Sequence, residues 1–406
     1  MSKIIFALLF LLLSGYTYCL GCTTAIVSGK FTPDGRPLLF KHRDTSFEQN
    51  RLMYFDDGKY TYIGLVNSAD LEGREIWAGF NSAGFAIINS ESYNLNVGDT
   101  TRLRDMEGIL MKKALQQCSN VDEFSEFLDR YEKPAGVRAN FGVIDAQGGA
   151  AYFETGNYGY KKIDVNDQAI APFGYLIRTN FSATGVPDAG YGYIRYETAR
   201  ILFANAAAAD RLTPRFMLQE VSRSLYHSLT GVDLYQDIPE DERAHFVFFE
   251  DFIPRNSSVA TTVIQGVLPG EPAGLTTMWT IPGFQLATIA LPVWITADGR
   301  LPRVVTAGRE NVAPLCDLGL SLKAKCFPVK RGSGKRYLNL SALINRKGTG
   351  IIQKILPLEQ KILYEGENVL ESWRKSKFSD SEAIQFYDWL DDTILNGYRE
   401  CFGTPQ

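Results

Sequence analysis

The chain has 406 residues, 45% of them hydrophobic and 22% charged, the balance of a globular protein with a large core and about two or three structural units. That composition excludes a fibre or a disordered chain. A net charge of −4 without a Lys/Arg run argues against nucleic acid or an anionic membrane as the main partner.

Residues 1–21 open with Lys3, continue as an uncharged apolar stretch from Ile4 to Leu13, and end in Cys19-Leu20-Gly21. This pattern predicts a secretory signal peptide, the apolar run being shorter than the ~20 residues of a spanning helix. Small residues at Cys19 and Gly21 suit cleavage after Gly21, which leaves Cys22 first and takes the net charge from −4 to −5 through loss of Lys3. Two other readings of the junction stay open. Gly21-Cys22 also suits a self-processing precursor, and a lipoprotein would begin with a lipid-blocked Cys22, although Cys19 stands where such sites carry an aliphatic residue. The expected location is therefore exported (periplasmic, extracellular or lumenal), with a lipid anchor as the alternative.

Beyond the leader lie Cys22, Cys118, Cys316, Cys326 and Cys401. Export permits disulfides, and Cys316 with Cys326, read as flanking a short loop, is the preferred bridge among three pairings. The odd thiol is Cys22.

In chain order, the β-branched run Thr23 to Ser28 and the segment Pro37 to Asp44 predict a hairpin turning at Thr32-Pro33-Asp34-Gly35. Strands are expected at Tyr60 to Val66 and Gly84 to Asn89, then helices over 104–117 and 120–130, the second capped by Asn120 and Glu123. Strand patterns return at Ala139 to Asp145, Ala150 to Thr155 and Tyr158 to Ile163, followed by helical stretches at 193–207 and 213–226. Further strands are predicted at Val259 to Ile264, Thr276 to Thr280 and Gln285 to Leu291. A basic loop at Lys323 to Lys335 precedes helices near 367–376 and 380–400. Stacked sheets and helices in an α+β arrangement follow from this order.

The hairpin has a chemical consequence. Cross-strand partners sum to about twice the turn centre, so the partner of Cys22 falls near position 45, within one or two residues. Arg43 and Asp44 then share one strand end with the thiol and α-amine of Cys22. An α-amine with a pKa of about 7.7–8.0 can take the thiol proton, a guanidinium favours thiolate, and a carboxylate can orient the amine or the substrate nitrogen. Attack on an amide carbonyl would give an acyl-enzyme. Away from such a thiol, Arg43 and Asp44 would read as a solvated ion pair. Of the three histidines, His42 alternates away from Arg43, and neither histidines nor cysteines have metal-binding spacing. No cofactor or metal is expected. Asn-x-Ser sequons begin at Asn180, Asn256 and Asn339 and matter only in a glycosylating host.

Cys22-Thr-Thr-Ala-Ile-Val, Asp34-Gly-Arg-Pro-Leu-Leu and His42-Arg-Asp together resemble the opening of cysteine N-terminal-nucleophile (Ntn) hydrolases. The isopenicillin-N acyltransferase-like enzymes, penicillin V acylases, bile-salt hydrolases and a group of dipeptidases share it. Trp77 to Asn89 is similar to the family's Gly-x-Asn-x-x-Gly strand ending in Asn, and Arg178-Thr-Asn-Phe to its Thr-Asn segment. The resemblance spans roughly residues 22–290. It implies a four-layer αββα sandwich, with Asn180 and a group at or near Asn89 as the oxyanion hole and Arg195, or Arg200 close by, steadying the site. The implied domains are a signal peptide at 1–21, an Ntn-hydrolase domain at 22–310 and a C-terminal loop and helical extension at 311–406 packed on it.

The expected function is an exported cysteine amidohydrolase or acyltransferase cleaving a small linear amide, with catalytic residues Cys22, Arg43, Asp44, Asn89, Asn180 and Arg195. A dipeptidase is the variant within this class. A lipid-anchored binding or structural protein with the same fold is the alternative from another class. A homo-oligomer is compatible with either, and membrane contact is expected only through lipid at Cys22.

Overall fold

The computed structural model describes residues 21–101 and 105–403; all but the last residue of the signal peptide expected at 1–21, and the start of the helix expected at 104, lie outside them. Two antiparallel sheets are stacked face to face, with helices on both outer sides. This is the four-layer αββα sandwich.

In the first sheet β1 (Thr23–Val27) and β2 (Leu38–Asp44) form the expected hairpin. Gly35, at φ +75, supplies the left-handed conformation that closes the turn. The second sheet is a seven-stranded meander: β3 (Asn50–Phe55), β4 (Tyr62–Asn67), β5 (Ala78–Asn81), β6 (Ala86–Glu91), β7 (Ala139–Ile144), β8 (Ala150–Thr155) and β9 (Tyr160–Asp164). The chain then returns to the first sheet as β10 (Tyr175–Arg178), which pairs with the free edge of β1. Two short pairs follow on the periphery, β11 (Tyr226–His227) with β12 (Val232–Asp233), and β13 (Phe246–Phe248) with a late strand. β14 (Ser258–Gln265), β15 (Thr277–Pro282) and β16 (Leu291–Val293) complete the first sheet on the far side of β2, and β17 (Tyr337–Asn339) is the partner of β13.

Central and edge strands differ as burial demands. Every residue of β1, β2 and β14 is buried, because these strands have a sheet on one face and helices on the other. The edge strand β9 is largely exposed. Over the outer face of the meander lie α1 (Glu107–Gln117) and α2 (Val121–Arg130). Asn120 caps α2 by accepting from Glu123 N at 2.9 Å. Glu123 turns instead to Ser119 N and Oγ, so only one half of the reciprocal pair forms.

On the other outer face α3 (Tyr193–Ala208) packs against β10; the helix expected over 213–226 is the single turn α4 (Pro214–Phe216) continued by a π-helical turn over Met217–Val221, and Tyr226 already belongs to β11. α5 (Pro314–Cys326), the short α6 (Leu340–Leu343), α7 (Ile351–Lys375) and α8 (Asp380–Phe402) fill the rest of that layer. Gly366 lets α7 approach β15 and β16 closely, since a Cβ there would lie 2.8 Å from Pro292 and 3.3 Å from Trp279. A buried ion pair holds α7 from below: Arg223 donates to Glu359 at 2.7 and 2.5 Å and also to the carbonyls of Gln285 and Thr288.

Four further expectations are corrected. Cys316 and Cys326 both lie on α5 and are free thiols; ten residues of helix separate them by about 15 Å, far beyond disulfide reach. Burial pushes both thiols up to about 12. The stretch from Gln285 to Leu291 is a tight connection, with β16 beginning only at Leu291, because its buried carbonyls receive Arg223 in place of a ladder. Lys323 belongs to α5 and not to a loop. The helix expected at 367–376 is the last part of a 25-residue helix.

Removing one partner of the Arg223–Glu359 pair strands a charge in a dry site, which typically costs about 3–5 kcal/mol. Glu359→Ala is therefore expected to lower unfolding free energy by about that amount in urea titration, with an m-value close to wild type.

Candidate active site

The observed register is Thr23↔His42 and Thr24↔Lys41, which puts Arg43 opposite Cys22. This is two residues tighter than the turn arithmetic predicts, because the loop from Ser28 to Pro37 is centred one residue earlier than the turn tetrad. Neighbours across an antiparallel pair share a face, as do residues two apart along a strand. Cys22, Thr24, Lys41 and Arg43 therefore point together toward the meander, where Tyr152 of β8 donates to Thr24 Oγ1 at 2.9 Å. Cys22 is half-buried.

Arg43 Nη2 donates to Asn67 Oδ1 at 2.8 Å, and its guanidinium lies 4.9 Å from the centroid of the Trp77 ring. Nη1 is buried with no hydrogen-bond partner among the described residues. Burial lowers this arginine to about 10, against the opposing pull of the Cys22 charge. Lys41 joins the site without being among the residues expected there. Its Nζ donates to Trp77 O and to Asn89 Oδ1, both at 2.5 Å, so a cation from β2 reaches the asparagine at the end of β6. Burial lowers Lys41 to about 8; the Cys22 charge opposes this and Arg43 adds to it.

The opposite face of the same strand end serves the backbone of Cys22. Asp44 accepts from Ser258 Oγ at 2.5 Å and from Arg255 Nη2 at 2.8 Å, and the same Nη2 donates to Gly21 O at 2.6 Å. Arg255 Nη2 thus bridges Asp44 and the carbonyl of Gly21, the residue before Cys22. Arg195 of α3 donates to Cys22 O at 2.9 Å, to Thr23 Oγ1 at 3.0 Å and to Asn180 Oδ1 at 2.6 Å. Arg200 instead pairs with Glu197 on the surface, so Arg195 is the arginine that belongs here. Asn180 Nδ2 donates to Glu91 O at 2.9 Å. It is fully buried, so the sequon at Asn180 cannot accept a glycan in the folded chain. Gly21 packs so tightly that a Cβ would fall 1.8 Å from Asn180 Oδ1.

The structure therefore gathers Cys22, Arg43, Asp44, Asn180 and Arg195 at one end of the first sheet, and Asn89 joins them through Lys41. Lys41 was legible as the period-two neighbour of Arg43 in an otherwise apolar run. Arg255 and Ser258 carry no local signal, since only the pairing of β14 with β2 brings them in.

His42 faces away from the thiol, between Ser258 Oγ at 2.8 Å and Thr261 Oγ1 at 3.2 Å. Burial lowers it to about 4 despite the nearby Asp44, with Arg255 and Arg195 adding to the shift. It is neutral above that pH in the folded chain, while the unfolded chain protonates near 6.5. Its contribution to stability is complete above about pH 6.5 and is lost as pH falls toward about 4. His42→Gln is expected to flatten the loss of stability over that window by up to roughly 3 kcal/mol, measured by denaturant titration at each pH.

Residues 32–226 match the family model described as acyl-coenzyme A:6-aminopenicillanic acid acyl-transferase. No curated protein matches the chain. Among solved structures, a mutant of conjugated bile acid hydrolase from Clostridium perfringens is similar at 12% identity and a TM-score of 0.40, over 69% of this chain and 93% of its own. A second variant of that hydrolase is similar at 12% identity and a TM-score of 0.37, over 68% of this chain and 92% of its own. Penicillin V acylase from Agrobacterium tumefaciens is similar at 11% identity and a TM-score of 0.34, over 68% of this chain and 86% of its own. Residues 32–226 make up just under half of the chain, and over them it is similar to the acyl-transferase family of that model.

Proposed function

We propose that the chain is an exported cysteine amidase or acyltransferase in which Cys22, exposed by loss of residues 1–21, is the nucleophile. The observation that carries this reading is the convergence of the Cys22 thiol, two cations of β2 and the Arg195–Asn180 pair at one strand end. No histidine faces the thiol from β2, so the base is the α-amine that Cys22 gains when Gly21 is gone.

In this reading the free α-amine takes the thiol proton and sulfur bonds to the amide carbonyl carbon. Donors at Asn180 and Asn89 receive the negative charge that develops on oxygen, where such hydrogen bonds act most strongly. The C–N bond then breaks, and the proton held by the α-amine passes to the departing nitrogen. Water resolves the acyl thioester in hydrolysis, and a second amine does so in acyl transfer. Asp44, held by Ser258 and Arg255, supplies the negative charge on the amine side. The substrate is a small linear amide. Acylase action is the leading form, with dipeptide hydrolysis the variant.

Intact-mass and N-terminal sequencing of the exported chain test the first step. A free Cys22 at the terminus supports the proposal, whereas a diacylated Cys22 overturns it in favour of a lipid-anchored binding protein. A panel of N-acyl amino acids, dipeptides, penicillin V and conjugated bile acids then identifies the substrate. On whichever is turned over, Cys22→Ala is expected to abolish activity and Cys22→Ser to lower it by orders of magnitude, and full activity in Cys22→Ala excludes the mechanism. Asn180→Ala is expected to lower kcat by about 10²–10³-fold, with secretion and thermal unfolding measured alongside.

A further inference from the structure

Lysine has three donors and no acceptor. The atom of Asn89 that lies 2.5 Å from Lys41 Nζ must therefore be the amide oxygen, which leaves only Nδ2, a donor, for any other partner. The same logic holds at the second asparagine, where Arg195 Nη2 takes Asn180 Oδ1 at 2.6 Å. Each asparagine is held by a cation at its oxygen, so neither amide can turn an acceptor toward a developing oxyanion. Lys41 is also fully buried on the face that it shares with Cys22.

From this geometry we infer that Lys41 is a positioning residue of the thiol site: its ammonium sets the orientation of Asn89 and supplies a fixed positive charge beside the Cys22 sulfur. The inference rests on the reading of Cys22 as nucleophile. It separates the two cations of β2 by task. Arg43 is tied to Asn67 and stacked on Trp77, with Glu75 and Asp105 close enough to offset part of its charge. Lys41 is tied instead to two neutral oxygens, the Trp77 carbonyl and Asn89 Oδ1. On the opposite face Arg195 donates to the carbonyl of Cys22, and Arg255, paired with Asp44, donates to that of Gly21.

Charge at Lys41 also gives the site an alkaline limit. A buried lysine lowered to about 8 loses its charge as pH rises through that value, and both the Asn89 orientation and the support for thiolate go with it. Arginine, which stays charged, would remove that limit.

The test is iodoacetamide alkylation of the mature chain across pH, mapped to Cys22 by peptide mass spectrometry, together with steady-state kinetics on the substrate found above. In Lys41→Met the alkylation midpoint is expected to rise by about 1–2 pH units. kcat should fall about 10²-fold with little change in KM. Lys41→Arg is expected to restore the midpoint and to carry activity to higher pH than wild type. An unchanged midpoint and kcat in folded Lys41→Met overturn the inference. Should Lys41→Met fail to fold, the alkaline limb of Lys41→Arg decides, and a limb identical to wild type overturns it as well. If wild-type Cys22 is alkylated without loss of activity, it is the nucleophile reading that fails, independently of Lys41.

Discussion

A strand buried on both faces cannot hold a charge without polar partners, because desolvation of an isolated ion exceeds the stability of a whole domain. β2 nevertheless carries Lys41, His42, Arg43 and Asp44 in succession, all buried. Much of the architecture around the strand end answers that constraint. Asn67, Trp77 and Asn89 come from the meander on one side, and Ser258, Thr261 and Arg255 from the β14 region on the other. His42 meets the constraint differently, by staying neutral.

The alternation of a β-strand turns this set of charges into two environments. Odd positions of β2 look across the sandwich with the Cys22 side chain, and even positions look toward the helical layer with its backbone. The mechanism proposed above, in which the amine of the nucleophile is its own base, would use such a separation. Positive charge belongs beside the sulfur, where it favours thiolate, and negative charge beside the amine. One extended segment supplies both, since adjacent residues necessarily face opposite ways. Asn180, at the end of β10, closes the arrangement from the third strand, with Arg195 joining it to the carbonyl of Cys22.

The C-terminal helices contribute from a distance. α7 and α8 cover β15 and β16, with Tyr387 Oη donating to Trp294 O at 2.9 Å and accepting from Trp294 N at 2.7 Å. Arg223 and Glu359 join the helical layer to the connection before β16. The sheet that presents Cys22 is thereby backed along its far half, and this keeps β14, and with it Ser258 and the adjoining Arg255, in register with β2.

Local patterns in the chain determined the hairpin, most strands, the α2 cap and the presence of Arg43 near Cys22, because turn chemistry and period-two alternation are properties of neighbours in sequence. Resemblance to a family pointed to Asn89, Asn180 and Arg195, which no spacing could have joined. Tertiary structure decided the remainder. Cys316 and Cys326 proved to be helical neighbours too far apart to bond, since ten residues span little in a loop but about 15 Å in a helix. Lys41 read as an interruption of an apolar run until the second sheet placed Asn89 and the Trp77 carbonyl at the end of its side chain. Arg255, more than two hundred residues from Asp44, became a site residue only through the pairing of β14 with β2, because hydrogen bonding across sheets is indifferent to distance along the chain.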